Sequence, residues 1–377
     1  MSEVPKQIAT LSQWQLIRLR FRKHKLAVFS LQILVCLYLV ALAAPFFAPY
    51  SLDSKDLDYA YAPPQMPRWS FEHGWHTYGV YQEQDPVTLK NQYIQDRDIH
   101  VPLGFFVRGD SYTIIGNWKG SLRFFGVDLN KAEARGLLDD TEAFYPGFFL
   151  TGTDRYGRDI FSRLIYGSRI SLSIGLFSIF IAFILGVSIG GISGYLGGKV
   201  DIFIQRVIEV LNSFPHIPLW LAIGAVLPQS WSSLQVYFAI TMVLSFLNWT
   251  GLARVVRGKI LALREEDYAV AARLLGANHG RILFRHLIPG FTSHIIVTLT
   301  LSVPGMILGE TALSFLGLGL RPPIVSWGVM LQDCLNLQVV ANYPWMLMPV
   351  IAIIITVLSF NFLGDGLRDA ADPYADR

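Results

Sequence analysis

From Leu26 to Ala48 the chain runs 23 residues without a charge, and runs of similar length with little or no charge recur along the rest of it. A hydrocarbon core about 30 Å thick takes roughly 20 helical residues to cross. Inside that core backbone amides must bond within their own segment, which leaves helices as the spanning elements. Six spans are therefore expected, at residues 26–48, 170–196, 202–228, 234–253, 290–312 and 343–364. Composition agrees, with 52% of residues apolar and 16% charged, against about 25% charged in a typical soluble domain.

The third span carries Arg206, Glu209 and His216, with Pro215 and Pro218 in its middle, so it is either kinked or begins as a cytoplasmic helix. The first follows Arg18, Arg20, Arg22, Lys23 and Lys25 and contains Ala41-Leu42-Ala43, the outline of a secretory signal. Its apolar run is too long for a cleaved segment and predicts a retained anchor. Basic residues cluster before the first span and again between the fourth and fifth, at Arg254, Arg257, Lys259, Arg264, Arg273, Arg281 and Arg285. The positive-inside tendency places both clusters, and both termini, in the cytoplasm. Cys36 lies in the first span and Cys334 in an outer loop, a placement against a disulfide or a metal-ligand pattern. The net charge of +3 is accounted for by inner-face anchors, and no basic and aromatic surface points to nucleic acid.

The expected organisation is a cytoplasmic tail at 1–25, the first transmembrane helix at 26–48, an extracytoplasmic insertion ending in an interfacial helix at 49–169, a five-helix core at 170–364 with a cytoplasmic insert at 254–289, and a cytoplasmic tail at 365–377. Within the insertion, Tyr112-Thr113-Ile114-Ile115 and Leu122-Arg123-Phe124-Phe125 read as short strands flanking Gly116 to Gly120, a hairpin signal. The fold class is thus an all-α polytopic membrane protein, six transmembrane helices with a small extracytoplasmic α+β insertion between helices 1 and 2.

The cytoplasmic insert carries the first functional signature. Asp267 to Leu275 can form a helix, Gly276 can supply the left-handed residue that ends it, Asn278 can cap a second helix, and Pro289 limits that one. Ala271 and Ala272 offer a small-residue surface on which another protein's groove can close. Arg281 and Arg285, four apart, share a face that can meet acidic groups. Ala271, Ala272, Gly276 and the ending Ile288-Pro289 resemble the EAA motif of ATP-binding-cassette importer permeases, with Val270 where that motif has Glu.

A second signature, Gly152-Thr153-Asp154-Arg155-Tyr156-Gly157-Arg158-Asp159, precedes the second span. Thr153 or Asp154 can cap a turn, and Asp159 with Arg163 forms an acid-first i,i+4 pair. Ile160, Phe161, Leu164 and Ile165 group on one side of the following helix, which suits the outer membrane interface. Asp154 and Asp159 do not read as a catalytic pair, because no nucleophile or metal-ligand constellation accompanies them. A third signature runs Gly309-Glu310-Thr311-Ala312-Leu313-Ser314-Phe315-Leu316-Gly317-Leu318-Gly319, then Pro322-Pro323 and Ser326-Trp327-Gly328. Its Gly and Pro residues break the helix at the outer mouth, where Glu310, Ser314, Ser326, Trp327 and Gly328 are candidates to meet solute or a delivering protein. Glu310 reads equally well as the cap of a loop amide.

Gly186, Gly190 and Gly194 lack the strand and the Lys-Ser/Thr of a nucleotide loop, and their four-residue spacing is a small-residue ridge for close helix packing. Pro304 and Pro349 can kink the last two spans.

Over residues 151–373 the three signatures, with the ending Leu363-Gly364-Asp365-Gly366-Leu367-Arg368-Asp369, resemble the second permease subunit of the dipeptide and oligopeptide ABC importers, a branch that also carries nickel and some oligosaccharides. The resemblance implies no catalytic site and no cofactor or metal on this chain. It implies ATP and Mg on two partner ATP-binding subunits, docked at Ala271, Ala272, Arg273, Gly276, Ala277, Arg281, Arg285 and Pro289. Further implied partners are a homologous second permease, an extracytoplasmic solute-binding protein and the lipid of a bacterial-type inner membrane. The outer motif of Gly152, Thr153, Asp154, Gly157, Arg158, Asp159 and Arg163 belongs to the same resemblance. The competing reading is a membrane receptor or scaffold whose outer insertion senses a ligand, which predicts no ATPase partner.

Overall fold

The computed structural model describes residues 13–84, 86, 91–114, 118–134, 147–228 and 230–372. Ile115, Gly116 and Asn117 of the expected hairpin and the outermost parts of both tails lie outside the described residues. The chain is mostly helical, with a small sheet. Among the described residues, five helices are long and apolar enough to cross a membrane: Lys25–Leu42, Ile160–Leu196, Ser233–Leu263, His279–Phe315 and Pro344–Ala371. A sixth span exists if Gly198–Ser213 and His216–Val226, bent by 81°, count as one. Pro215 is the hinge, an extended residue capping the second piece. An 81° bend at this point fits both sequence readings of the segment, a kinked span and a span preceded by a separate helix.

The helix ends depart from the sequence reading where packing or a proline intervenes. The first helix stops at Leu42, and a four-residue helix, Ala44–Phe47, follows with Pro45 in its first turn. The interfacial helix expected before the second span is continuous with it as Ile160–Leu196, 37 residues long, because its apolar side is met by buried partners such as Ala44 and Ala48.

The chain divides into two compact units. One comprises residues up to Cys36, Leu172–Leu320 and Ile353 onward. Within it Gly186, Gly190 and Gly194 face helix Ser233–Leu263: a Cβ at Gly190 would lie 2.4 Å from the Ala253 carbonyl oxygen, and one at Gly194 2.7 Å from that of Arg257. Backbones at this distance pack without side chains between them, which is the geometry a small-residue ridge permits. Near the same helix end, Arg257 grips the Asp201 carboxylate with Nε and Nη2, at 2.5 and 2.6 Å, a two-pronged geometry that fixes orientation as well as distance.

The other unit comprises Leu37–Ser171 and Arg321–Ala352. Its four-stranded antiparallel sheet has the order β1 (Arg68–Ser70), β2 (Gly74–Gln84), β3 (Asn91–Ile114), β4 (Trp118–Val127). Strand β3 is long enough to pair with β2 through its first part and with β4 through its second, changing register between Arg108 and Tyr112. Arg123 of β4 is 1% exposed. Its Nη1 donates to the carbonyls of Pro45 and Ala48, at 2.8 and 3.0 Å, so a buried cation is held by the free carbonyls of a helix C-terminus.

Candidate functional site

The insert between the fourth and fifth expected spans is a helix, a turn and a helix. Asp267–Leu274 ends at Leu275, and Gly276 takes φ +79°, a left-handed conformation that glycine adopts without steric cost. Asn278 then caps the next helix, its Oδ1 accepting from Arg281 N at 2.8 Å. Contrary to the sequence expectation, Pro289 does not end that helix. The chain stays helical from His279 to Phe315 through a π segment, Ile282–Leu287, and a 3₁₀ turn, Ile288–Phe291. Proline has no N–H for the ladder and crowds the carbonyl four residues back, and a widened turn accommodates both defects.

The faces of the insert are sorted by burial. Ala269 is fully buried with Ile282, Leu283 and Leu287, and Ala272 and Ala277 pack against them. Ala272 and Ala277 thus serve the insert's own core, which corrects the expectation that Ala272 presents an open surface. Ala271, Arg273, Gly276, Arg281, Arg285 and Pro289 are exposed. The most prominent outward groups are Leu274 and Leu275, 83% and 88% exposed at the tip, with Phe284 55% exposed. Their sequence signal is two adjacent leucines before a glycine in a charged stretch, which the neighbouring small residues do not reveal. The insert is tied to the membrane helices by Tyr195, whose hydroxyl meets His279 Nδ1 at 3.2 Å.

The outer motif is a built turn. Asp154 Oδ1 accepts from Tyr156 N and Arg158 N, at 2.9 and 3.1 Å, while Arg158 Nε donates to Oδ2 at 2.7 Å. Thr153 Oγ1 donates to the Tyr59 carbonyl and accepts from Ala62 N. Gly157 has φ +69°, and a Cβ there would fall 1.5 Å from the Asp56 carbonyl oxygen. Gly152 also lies in the left-handed region, at φ +80°. The expected Asp159–Arg163 pair gives way to another arrangement: Arg163 Nε lies 3.5 Å from Asp154 Oδ2, and Asp159 caps helix Ile160–Leu196, its Oδ2 accepting from Ser162 N at 2.7 Å. One carboxylate at the centre of the turn draws in both arginines, which spacing along one helix does not reveal.

Asp159 is 4% exposed, and burial pushes its carboxyl up to about 6 from 3.8, against the lowering effect of Ser162. The folded chain therefore binds this proton more tightly than the unfolded chain. The stability it supplies is present below about pH 4 and lost as pH rises through about 6. Asp159→Asn keeps a capping oxygen and should raise the melting temperature at pH 7.5, by a stabilisation on the order of 2 to 3 kcal/mol at 1.4 kcal/mol per unit of displacement. The two proteins should converge at pH 4. Thermal unfolding in detergent across that range checks this, and a wild type that gains on the variant with rising pH would show an ionised, favourable cap instead.

The third signature folds back on itself. Glu310 and Ser314 are both fully buried; Ser314 Oγ donates to Glu310 Oε1 at 2.8 Å and accepts from Leu320 N at 3.0 Å. Glu310 acts on the loop amide through Ser314, the capping alternative in relayed form. Ser326 caps a short helix, Trp327–Met330. Trp327 is 1% exposed, with N donating to Ser171 Oγ and Nε1 to the Leu164 carbonyl, at 3.1 and 3.0 Å. Ser326, Trp327 and Gly328 are thus buried framework residues in this chain, contrary to their expected exposure to solute.

Two family profiles match the chain. One, described as the binding-protein-dependent transport system inner membrane component, covers residues 186–377. The other, the N-terminal TM domain of oligopeptide transport permease C, covers residues 12–64. The oligopeptide transport system permease protein OppC of Bacillus subtilis is 32% identical over 365 residues, 97% of this chain and 90% of that one. The dipeptide transport system permease protein DppC of Alkalihalophilus pseudofirmus is 43% identical over 223 residues, 59% of this chain and 71% of that one. OppC of Haemophilus influenzae is 40% identical over 263 residues, 70% of this chain and 80% of that one.

Proposed function

The chain belongs to the family of binding-protein-dependent transport inner membrane components, and from that premise we propose that it is the C-type permease of an ABC importer for peptides. Its helices form part of the pathway, and a homologous permease supplies the rest. ATP and Mg bind to two partner ATPase subunits, while an extracytoplasmic binding protein delivers the solute. Both termini and the insert at 254–289 face the cytoplasm, in keeping with their basic residues. The chain itself performs no covalent chemistry.

The observation that carries this reading is the tip of the insert. Leu274 and Leu275 stand out into solvent from the helix–turn–helix, with Arg273 beside them in the chain and Arg281 and Arg285 exposed after the turn. An apolar knob on an insert that also exposes cations fits a groove with an acidic rim on another protein. Because the insert shares a buried core with Leu252, Val256 and Ile260 of helix Ser233–Leu263, movement of the docked ATPase is passed to the membrane helices as a rigid displacement. The peptide assignment rests on the relatives named above as oligopeptide and dipeptide permeases.

The test is purification of the tagged chain in mild detergent, identification of co-purifying chains and assay of their ATP hydrolysis. A second permease and ATPase subunits are expected in the complex, with peptide uptake after reconstitution. A chain that purifies alone in several detergents, with no ATPase, would overturn the proposal and favour a receptor.

A further inference from the structure

We propose that the outer sheet is anchored in the membrane surface through Phe105 and Phe106, so that the partner of this face of the insertion is the phospholipid bilayer. Phe105 and Phe106 are 60% and 59% exposed, and Leu122 on the neighbouring strand is 43% exposed. Exposed phenylalanines side by side on a strand are a poor surface for water and a good one for the boundary between headgroups and acyl chains.

Chain continuity places these rings at that boundary. Leu42, itself exposed, is the last residue of the first membrane-length helix, and Ala44–Phe47 follows at once. Phe46 lies 6.2 Å from Phe106 and 5.9 Å from Phe124, and Phe47 lies 5.5 Å from Phe124, ring centre to ring centre. Phe105 and Phe106 in turn flank Phe124, at 5.7 and 5.8 Å. Phe46 follows the last residue of that helix by four positions, in the short helix Ala44–Phe47, so the aromatic group stays close to the point where the span ends.

The polar groups around it mark the same level. Arg169 Nε and Nη2 donate to the carbonyls of Ala41 and Leu42, at 2.7 and 2.8 Å, and Arg123 bonds those of Pro45 and Ala48. Both guanidinium groups close carbonyls that the end of the span leaves without a helical partner. Arg108, exposed and paired in register with Leu122, supplies a cation beside the two rings, the combination that suits an anionic lipid surface.

The backbone gives independent support. Phe106 holds φ +56°, a left-handed conformation that bulky residues rarely adopt. Burial within this chain does not explain it, since the side chain is mostly exposed, and an unusual conformation kept at an exposed ring points to a use outside the chain. Phe71, 97% exposed and stacked edge-on against Trp69 at 4.6 Å, has no such connection to the end of a span and serves as the water-facing comparison.

The inference is independent of cargo and of the ATPase, so its failure would leave the proposed function untouched. The experiment uses the full chain with its co-purifying partners, in a Cys36→Ser, Cys334→Ser background, reconstituted in phosphatidylcholine and phosphatidylglycerol vesicles. Phe105→Cys, Phe106→Cys and Phe71→Cys are each labelled with a nitroxide, and spin relaxation by oxygen and by a water-soluble nickel chelate is compared. Oxygen should dominate at 105 and 106 and nickel at 71. Leu122→Cys reads the same face should a label at 106 disturb its backbone. Nickel dominating at 105, 106 and 122 would overturn the proposal by showing a water-facing surface. Low access of both reagents would overturn it by showing a protein cover, such as the second permease.

Discussion

Replacing Leu274 and Leu275 together by aspartate should strip the ATPase subunits from the purified complex while leaving the permease folded in the membrane. Both side chains are more than four-fifths exposed in the isolated chain, at 83% and 88%, so their loss creates no cavity in it. In a docked state each leucine would contribute roughly 1.5 to 3 kcal/mol by burial. Two carboxylates in the same groove would add a desolvation cost and face whatever acidic rim the cations meet. A deficit of about 3 to 6 kcal/mol lowers affinity by more than about a hundredfold. The readout is the ratio of ATPase to permease after tag purification, with peptide-stimulated hydrolysis as a second measure. Leu274→Met with Leu275→Met should retain both, since volume and apolarity are nearly kept. Gly276→Trp should also release the partner: a side chain there meets nothing within 4 Å in this chain, so the bulk projects outward and its φ of +79° becomes strained. Wild-type stoichiometry with the double aspartate would place the docking surface elsewhere.

Gly190→Val should abolish folded protein rather than impair coupling. The added Cβ would lie 2.4 Å from the Ala253 carbonyl oxygen and 2.7 Å from its Cα, and both belong to backbone that cannot rotate away. Helices Ile160–Leu196 and Ser233–Leu263 would have to separate along their line of closest approach. Overpacking costs typically about 1 to 3 kcal/mol where neighbours can adjust, and here the neighbour is a helix backbone held by its own hydrogen bonds. We expect loss of the monodisperse peak in size-exclusion chromatography of solubilised membranes. Gly251→Ala, in the second of these helices, is the control: nothing lies within 4 Å of the added atom, and alanine is favoured over glycine in a helix by up to about 1 kcal/mol. A Gly190→Val complex that elutes and melts like wild type would refute the close-packed ridge.

Much of this architecture is legible in the order of residues because the bilayer imposes local rules. A span must be apolar over about 20 residues, and cations collect at one side. Backbone breaks also declare themselves by residue type, as Pro215 does at the bent span and Gly276 at the tip of the insert. The spacing of Gly186, Gly190 and Gly194 was enough to foresee close packing, because residues four apart on a helix share a face.

Other features depended on what packs against what. The short insert could turn either side outward, and only its contact with Ile282, Leu283 and Leu287 turns Ala272 inward and leaves Leu274 and Leu275 exposed. Asp154, rather than Asp159, draws in Arg163 because the turn brings its carboxylate within 3.5 Å, a distance no linear spacing encodes. Ser326 and Trp327 become framework through bonds to Ser171 and Leu164, more than 150 positions away. Phe105 and Phe106 gain their meaning from Phe46, at the end of a helix some sixty residues earlier. Which segments enter the membrane follows from residue order, because solvation by lipid acts on each segment separately. Which side chains remain for partners depends on packing, because exposure is what is left after residues distant in the chain have covered one another.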